Sequence, residues 1–554
     1  MGMTKLETIL EWLRWRTKQG EFKEFLSQSL LSLCKIKTVP IKDIKEIAKN
    51  ETLTFKMIEK LIRSSGLPGL VKQYPILPSI QSHPFFTFPY YTDSTDAYNG
   101  RYNLVYLWDS PRDSVLGRKV AVNAHIDTVT PYLQVSRKDD TIFGRGTCDD
   151  KSGCTVMMAT LLLLKEIKDQ FNVVPGSDLT FMFVIDEETG GNGSLSLALD
   201  KDLKERYDTV VVLECCDQQI YPANRGGLWY KIEIPPRKIS HQIILGMEII
   251  QELEKEGAMI REESSHPLFP QRPVQTSYGI FGPFGEHPSR ICGYIAFLLK
   301  TVKSGAELNR CAEMGVKRYE AQYGDKTKII DPETRRAMLD RHYEIVPQND
   351  QFLLEVWGKT GHMGSIREND NALTKASFII MEIAGEDPRL EIDFTSEKVR
   401  DSLVIEGGQG FIPSHTIEQI MKRLSDAMYR AYDRSSYWWG DGFPKPLMTF
   451  EKIKNDAFAG DPNSQSMVNA IKCAELIGIP IKKPIVGFES SCDAHLFAKL
   501  YPGLEVITTG PGRLKDAHSD EEQINVNDLA KSCAMLTLFL LVHTQARNLE
   551  DQII

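Results

Sequence analysis

VAVNAHIDTVTPY, residues 120–132, runs from an apolar β-branched stretch into His125 and Asp127 and then into a Thr-Pro turn. The run reads as a strand, and its period of two puts the side chains of His125 and Asp127 on the same side. A short way on, FGRGTCDDKSG, residues 143–153, is a Gly-punctuated turn that carries Asp149 and Asp150 into a helix starting near Ser152. A histidine and carboxylates delivered to one strand end and one turn form a set of donors for divalent metals.

The same alternation extends outward. YNLVYLW (102–108), LTFMFVID (179–186) and DTVVVLEC (208–215) are short β-branched runs, and SGCTVMMATLLLLKEIKD (152–169) has helical spacing between them. Strands alternating with helices predict an α/β layer with a largely parallel sheet, whose functional groups sit at carboxyl strand ends. Residues 1–65 carry apolar positions three and four apart, as in LETILEWLRW and FLSQSLLSLCKI, and read as helices. Residues 66–100 are rich in Pro, Tyr and Ser and read as irregular.

From WYKIEIP (229–235) the character changes. A charged, Pro-punctuated region follows, then a strand at QFLLEVWG and helices at NALTKASFIIMEIA and SHTIEQIMKRLSDAMYRAYDR. After residue 455 the first pattern returns with the helix SQSMVNAIKCAELIG, a strand at PIVGF, the helix DAHLFAKL, the strand LEVITTG and a final helix. The expectation is a discontinuous α/β domain, residues 1–230 and 453–554, interrupted by an α+β insert, 231–452, which carries extra material at about 240–345.

The 554 residues, 42% hydrophobic and 25% charged, exceed what one core accommodates. A net charge of −9 with interspersed basic residues argues against nucleic acid as a partner. Ten cysteines without a CxxC pair read as reduced thiols in a cytoplasmic protein. MGMTKLETILEWLRWRTKQG is amphipathic with mixed charges, unlike a secretory signal. AMLTLFLLV (534–542) is too short a run for a membrane span and reads as part of a buried helix, so no membrane is expected.

Each acidic strand end has its own chemistry. His125 can ligate a metal while Asp127 accepts its second ring N–H and fixes the tautomer. Of Asp149 and Asp150, one suffices as ligand and the other can cap the helix. Glu187 and Glu188 follow FMFVID directly; adjacent carboxylates repel, a conflict a cation removes, leaving one to coordinate and the other to act as general base. Glu214 and Asp217 end VVLECCD, and His518 lies in the loop TTGPGRLKDAHSDEE. Five strand ends of one domain thus each offer a His or a carboxylate. His495 reads as a packed helix residue, His415 as a helix start with no capping box from Ser414, and His241, His266 and His287 as solvated loop residues.

AHIDTV, GRGTCDDKSG, DEETGGNGS, the end of VVLEC and GPGRLKDAHSDEE occur here in order, and in that order they resemble the di-zinc exopeptidases and amidohydrolases. That family includes glutamate carboxypeptidase, carnosine dipeptidases, aminoacylase, acetylornithine deacetylase and succinyl-diaminopimelate desuccinylase. WGKTGHMGSIRENDNALTKA (357–376) is similar to the family's inserted lid and dimerisation domain with its Gly-Lys-x-x-His turn. The resemblance covers roughly residues 100–230 and 350–540.

It implies that His125 binds one zinc, Asp149 bridges two, and Glu188 and His518 hold the second. Glu187 is then the base, Asp127 orients His125, and His362 supports the oxyanion. The remaining ligand is Glu214 or Asp217, with Glu214 favoured because it ends the strand directly. The implied activity is amide or peptide hydrolysis in a small substrate, by a water held between two zinc ions; manganese and cobalt are the other metals such donors accept. An exopeptidase or dipeptidase is the first expectation, an N-acyl-amino-acid amidohydrolase the second, and a non-catalytic metal-binding scaffold the third. A homodimer through the lid domain is also implied. IEGGQGFIPSH (405–415) lacks the Asn common before that Pro in the family, so substrate contacts do not carry over there.

Overall fold

The computed structural model describes residues 3–64, 66–89, 97–110, 116–331, 335–363, 370–395, 402–439 and 444–549. The chain forms two compact units: Met1–Gly226 with His266–Pro270 and Lys452–Ile554, and Gly227–Ser265 with Gln271–Glu451.

The first unit is built on a seven-stranded sheet. Its strands are β1 (Leu70–Pro75), β2 (Tyr102–Trp108), β3 (Val120–His125), β4 (Leu179–Val184), β5 (Thr209–Leu213), β6 (Ile220–Tyr221) and β7 (Glu505–Thr509), in the spatial order β1-β2-β4-β3-β5-β7-β6. The central four run parallel, β4 and β5 on either side of β3 and β7 beside β5. The outer pairings are antiparallel, giving a mixed, mainly parallel α/β sheet.

Alternation along the strands divides the core in two. Tyr106, Val122, Ala124, Phe181, Phe183 and Val211 face one apolar cluster, which includes the helices Gly20–Cys34, Lys151–Phe171 and Val526–His543. Val105, Ala121, Met182, Val184, Val210 and Val212 face the other, with Leu197, Phe497 and Tyr207. Both faces of β3 to β5 are therefore covered, which is why these segments read as continuous apolar runs. Val526–His543 has the length and composition of a membrane span, but 78% of it is buried inside this core.

Two segments differ from the sequence reading. Residues 70–75, expected to be irregular, form β1, because LVKQYP pairs along the whole of β2. PIVGF, expected as a strand, contributes only an isolated bridge from Phe488 to Asn224.

In the second unit one sheet runs Phe284–Gly285, Thr276–Phe281, Leu403–Phe411, Gly226–Ile234, Leu447–Thr449. A four-stranded antiparallel sheet runs Tyr343–Gln348, Gln351–Trp357, Tyr294–Lys300, Glu391–Phe394. Residues 240–345, expected as extra insertion, supply the long helix Ile239–Glu263, the helix Gly305–Tyr323 and strands of both sheets. The capping box absent at Ser414 is made two residues on, where Thr416 and Gln419 exchange side-chain to backbone bonds at the start of Ile417–Trp439.

Candidate metal centre

The parallel register aligns the carboxyl ends of β3, β4 and β5, and the loops leaving them converge. His125 is the last residue of β3, Glu187 and Glu188 lie just past β4, and Glu214 follows β5 directly. His518 arrives on the loop after β7 with φ 60°, a left-handed backbone rare outside glycine and frequent where a side chain must be aimed. The turn after Glu188 needs glycine at 190: φ is 137°, and a Cβ would collide with the Thr87 side chain.

Asp149 stands between the two histidines. Its Oδ1 is 3.1 Å from His125 Nε2 and its Oδ2 is 3.3 Å from His518 Nε2. His518 Nε2 also lies 3.0 Å from Glu188 Oε2, and His125 Nε2 lies 3.9 Å from Glu187 Oε2. Three donor sets here fall within 4.8 Å in each case: His125, Glu187 and Glu214; His125, Asp149 and Glu188; and Asp149, Glu214 and Cys215, a thiol the sequence reading did not count among the donors. Asp217 is elsewhere: its half-exposed side chain pairs loosely with Lys482 at 3.7 Å.

Asp127 acts differently from the expectation. His125 Nδ1 donates to the backbone carbonyl of Asp127 at 3.0 Å, closer than its carboxylate at 3.6 Å. That bond fixes the tautomer and leaves the Nε2 lone pair facing the site. The Asp127 carboxylate instead accepts the backbone N–H groups of Glu187 (3.2 Å) and Glu188 (3.0 Å), so it positions the acidic turn. Asp150 caps the helix Lys151–Phe171 through Gly153 N at 3.0 Å.

The charges do not balance among side chains. Asp149, Glu187, Glu188 and Glu214 are all buried, and among the described residues no Lys or Arg forms a salt bridge with any of them. Burial and the neighbouring Glu214 push the Glu187 carboxyl well above its ordinary range; burial and Asp149 do the same to Glu214. Burial opposes charging of Asp149, yet His125 and His518 hold it well below the usual carboxylate range. Burial likewise opposes a charged His518, but Glu188 and Asp149 raise it to about 9. Two histidines facing four buried carboxylates mark a place where cations fit: nitrogen and oxygen donors at ligand–ligand spacing, with a negative surplus to neutralise.

Other residues hold this constellation and were missed in the sequence. Glu522, buried, accepts the N–H groups of Gly146 (2.9 Å), Cys148 (3.0 Å) and Asp149 (3.2 Å) and pairs with buried Arg145. Arg101 joins Glu51 and Asp186, each at 2.6 Å, behind the Glu187 turn. Asp493 takes the Ser194 hydroxyl, and burial raises its carboxyl to about 7. Glu522, Arg145, Asp186 and Asp493 all stood in quoted stretches, but a charge in a loop carries no mark of burial.

His362 belongs to the second unit, where residues 361–363 pair with 289–291. Residues 364–369 of the lid motif lie outside the described residues. His287, expected in solvent, is fully buried, bonded to Ser289 at 2.7 Å and edge-on to Trp229. His495 is buried in its helix, and all ten cysteines are buried and free of disulfides.

Residues 121–542 match the model of peptidase family M20/M25/M40. A peptidase M20 domain-containing protein of Schizosaccharomyces pombe is 25% identical over 190 residues, 34% of this chain and 40% of that protein. A probable carboxypeptidase of Ajellomyces capsulatus is 32% identical over 188 residues, 32% of this chain and 38% of its own. A probable succinyl-diaminopimelate desuccinylase of Staphylococcus aureus is 27% identical over 167 residues, 27% and 40%. The chain thus spans about two fifths of the length of these curated relatives. Among solved structures, the dipeptidase Dug1p of Saccharomyces cerevisiae superposes with a TM-score of 0.61 at 14% identity, covering 98% of this chain and 99% of that one. Human carnosine dipeptidase 1 gives 0.59 at 11%, covering 98% and 100%. These two establish the fold, and the match over residues 121–542 establishes that the chain is a member of peptidase family M20/M25/M40.

Proposed function

We propose that this chain hydrolyses an amide or peptide bond in a small substrate, as an exopeptidase and most simply a dipeptidase, with two divalent metal ions. One observation carries the reading: the two oxygens of Asp149 face different histidines, His125 at 3.1 Å and His518 at 3.3 Å, the arrangement a bridging carboxylate requires. His125 and Glu214 would hold one ion, Glu188 and His518 the other, with Asp149 shared. Zinc is the metal proposed, manganese and cobalt being compatible with the same donors. When bound, such a pair polarises the scissile carbonyl and lowers the pKa of an attacking water toward neutrality.

The side chains do the rest. Glu187, in the same pocket and pushed up by burial, takes the proton of the attacking water at a carboxylate oxygen and returns it to the leaving amine. Asp127 keeps Glu187 and Glu188 in place through their backbone N–H groups. His125 stays in its ligating tautomer through the Asp127 carbonyl. His362 is assigned to the developing oxyanion, a role that belongs to the proposal together with a homodimer and a cytoplasmic setting.

Removal of an N-acyl group from an amino acid is the second reading, favoured by the similarity to the probable desuccinylase. A panel of dipeptides and N-acyl amino acids, assayed with zinc, manganese and cobalt before and after a chelator, tests both. Turnover of dipeptides that the chelator abolishes and metal restores is the expected result. Turnover of N-acyl amino acids alone would move the assignment to the second reading, and no metal-dependent turnover of either class would leave a binding scaffold.

A further inference from the structure

Cys215 follows Glu214 directly, and strand alternation alone would send the two side chains to opposite faces. The chain bends first. Glu214 still belongs to the sheet, its N–H donating to the Thr509 carbonyl at 2.9 Å, but the N–H of Cys216 turns back onto the Glu214 carbonyl at 2.8 Å, and Asp217 is left-handed with φ 52°. The bend at Cys215 keeps both side chains on the metal centre. Cys215 Sγ lies 3.9 Å from Glu214 Oε2 and 3.9 Å from Asp149 Oδ2.

A tetrahedral zinc ion with bonds of about 2.3 Å to sulfur and roughly 2.0–2.2 Å to oxygen has sulfur–oxygen edges of about 3.5–3.7 Å. The buried thiol therefore stands a few tenths of an ångström outside the spacing of a ligand. A hydrogen bond accounts for its position less well: a thiol is a weak donor with one hydrogen, and at this range it satisfies neither carboxylate. The Cys148 thiol, in contact with it, gives its own hydrogen to the Arg513 carbonyl at 3.2 Å. Among the described residues no Lys or Arg forms a salt bridge with Asp149 or Glu214, so what the sulfur shares with them is a place for a cation.

Resting on the two-metal reading above, we propose that Cys215 is a sulfur ligand of the ion that takes Asp149 Oδ2. That oxygen is the one facing His518, at 3.3 Å, so the ion is the one assigned to Glu188 and His518. The bond formed is sulfur to metal, the bond broken is S–H, and the proton passes to the buffer. This ion then has four protein ligands, the closed set of a zinc held for structure, whereas the ion of His125, Glu214 and Asp149 has three and keeps an open position. Glu187 stands on the open side, 3.9 Å from His125. The sulfur also narrows the choice of metal, because a soft donor favours zinc over manganese.

Cobalt reports the sulfur directly. Chelator-stripped chain is loaded with cobalt(II), desalted, counted for metal and scanned for the near-ultraviolet sulfur-to-cobalt charge-transfer band. The band is expected in wild type, a spectrum that depends on no variant folding, and in Cys148→Ser. It is expected to be lost in Cys215→Ser and in Glu188→Gln, and kept in Glu214→Ala, which disturbs the other ion. X-ray absorption of the zinc-loaded wild type is expected to show sulfur at about 2.3 Å. Bound cobalt without the band, or a band that survives Cys215→Ser, would overturn the sulfur ligand and leave the two-metal reading standing. A band that follows Glu214 instead of Glu188 would overturn the assignment to this ion, and a chain that binds no cobalt or zinc would overturn the two-metal reading itself.

Discussion

Glu522 accepts the backbone N–H of Asp149 at 3.2 Å, so a residue near the end of the chain sets the position of the carboxylate that faces both histidines. The same oxygen gathers Gly146 and Cys148, and the other meets Arg145. Replacing Glu522 by Ala removes three acceptor contacts and leaves Arg145 buried without its carboxylate. A loss of about 3–5 kcal/mol in unfolding free energy is expected, the usual result of breaking a buried pair. Urea denaturation reads it; a change below about 1 kcal/mol would show that Asp149 is positioned by other means.

Glu187 and Glu188 are adjacent but unequal. Glu188 sits 3.0 Å from His518, whereas Glu187 sits 3.9 Å from His125. Glu187→Gln is expected to keep the wild-type metal content and to lower kcat by roughly 100- to 10,000-fold. Glu188→Gln is expected to lose metal. Normal turnover in the Glu187→Gln variant would remove Glu187 from the role of base.

The choice between Glu214 and Asp217 is open to a direct measurement. Glu214 is buried among the donors, while Asp217 is more than half exposed beside Lys482. Glu214→Ala is expected to weaken binding of one of the two ions by at least about tenfold in calorimetric titration; Asp217→Ala is expected to leave both isotherms unchanged. The reverse pattern would transfer the ligand role to Asp217.

His543 supplies a pH signature of folding that is independent of the metals. Its Nδ1 accepts from Asn469 at 3.0 Å, so its Nε2–H donates to Thr209 Oγ1 at 2.9 Å, and burial pushes its pKa down to about 4. The unfolded chain takes up a proton near pH 6.5 that the folded chain refuses until about pH 4. Stability from this residue is therefore complete above pH 6.5 and is lost as the pH falls toward 4, by up to about 3 kcal/mol. Comparing urea midpoints of wild type and His543→Gln from pH 7 to 4 isolates that contribution, because Gln cannot titrate. Parallel pH profiles would show that His543 is not held neutral.

Much of the first unit was legible because strands with both faces covered read as continuous apolar runs, as in VAVNA and TVVVL. The donors were legible for the same reason: His125, Glu187, Glu188 and Glu214 sit where those runs stop. LVKQYP was not, since β1 is an edge strand with little buried surface and so has no apolar pattern to show. Nor was the division of labour at Asp127, where side chain and carbonyl compete for one imidazole over a difference of 0.6 Å, from 3.6 to 3.0 Å. Arg101, Arg145 and Glu51 look like ordinary surface charges in sequence, and only the fold encloses them.

The central sheet receives β7 from the far end of the chain, after the whole second unit has been made. On the ribosome, the segment bearing Asp149, Glu187, Glu188 and Glu214 emerges well before His518 and Glu522 exist. Until then its carboxylates have neither the second histidine nor the anchor of their turn, and β5 has an open edge. A chain that stops before residue 518 lacks both His518 and Glu522, so the second oxygen of Asp149 has no histidine to face and its turn has no anchor.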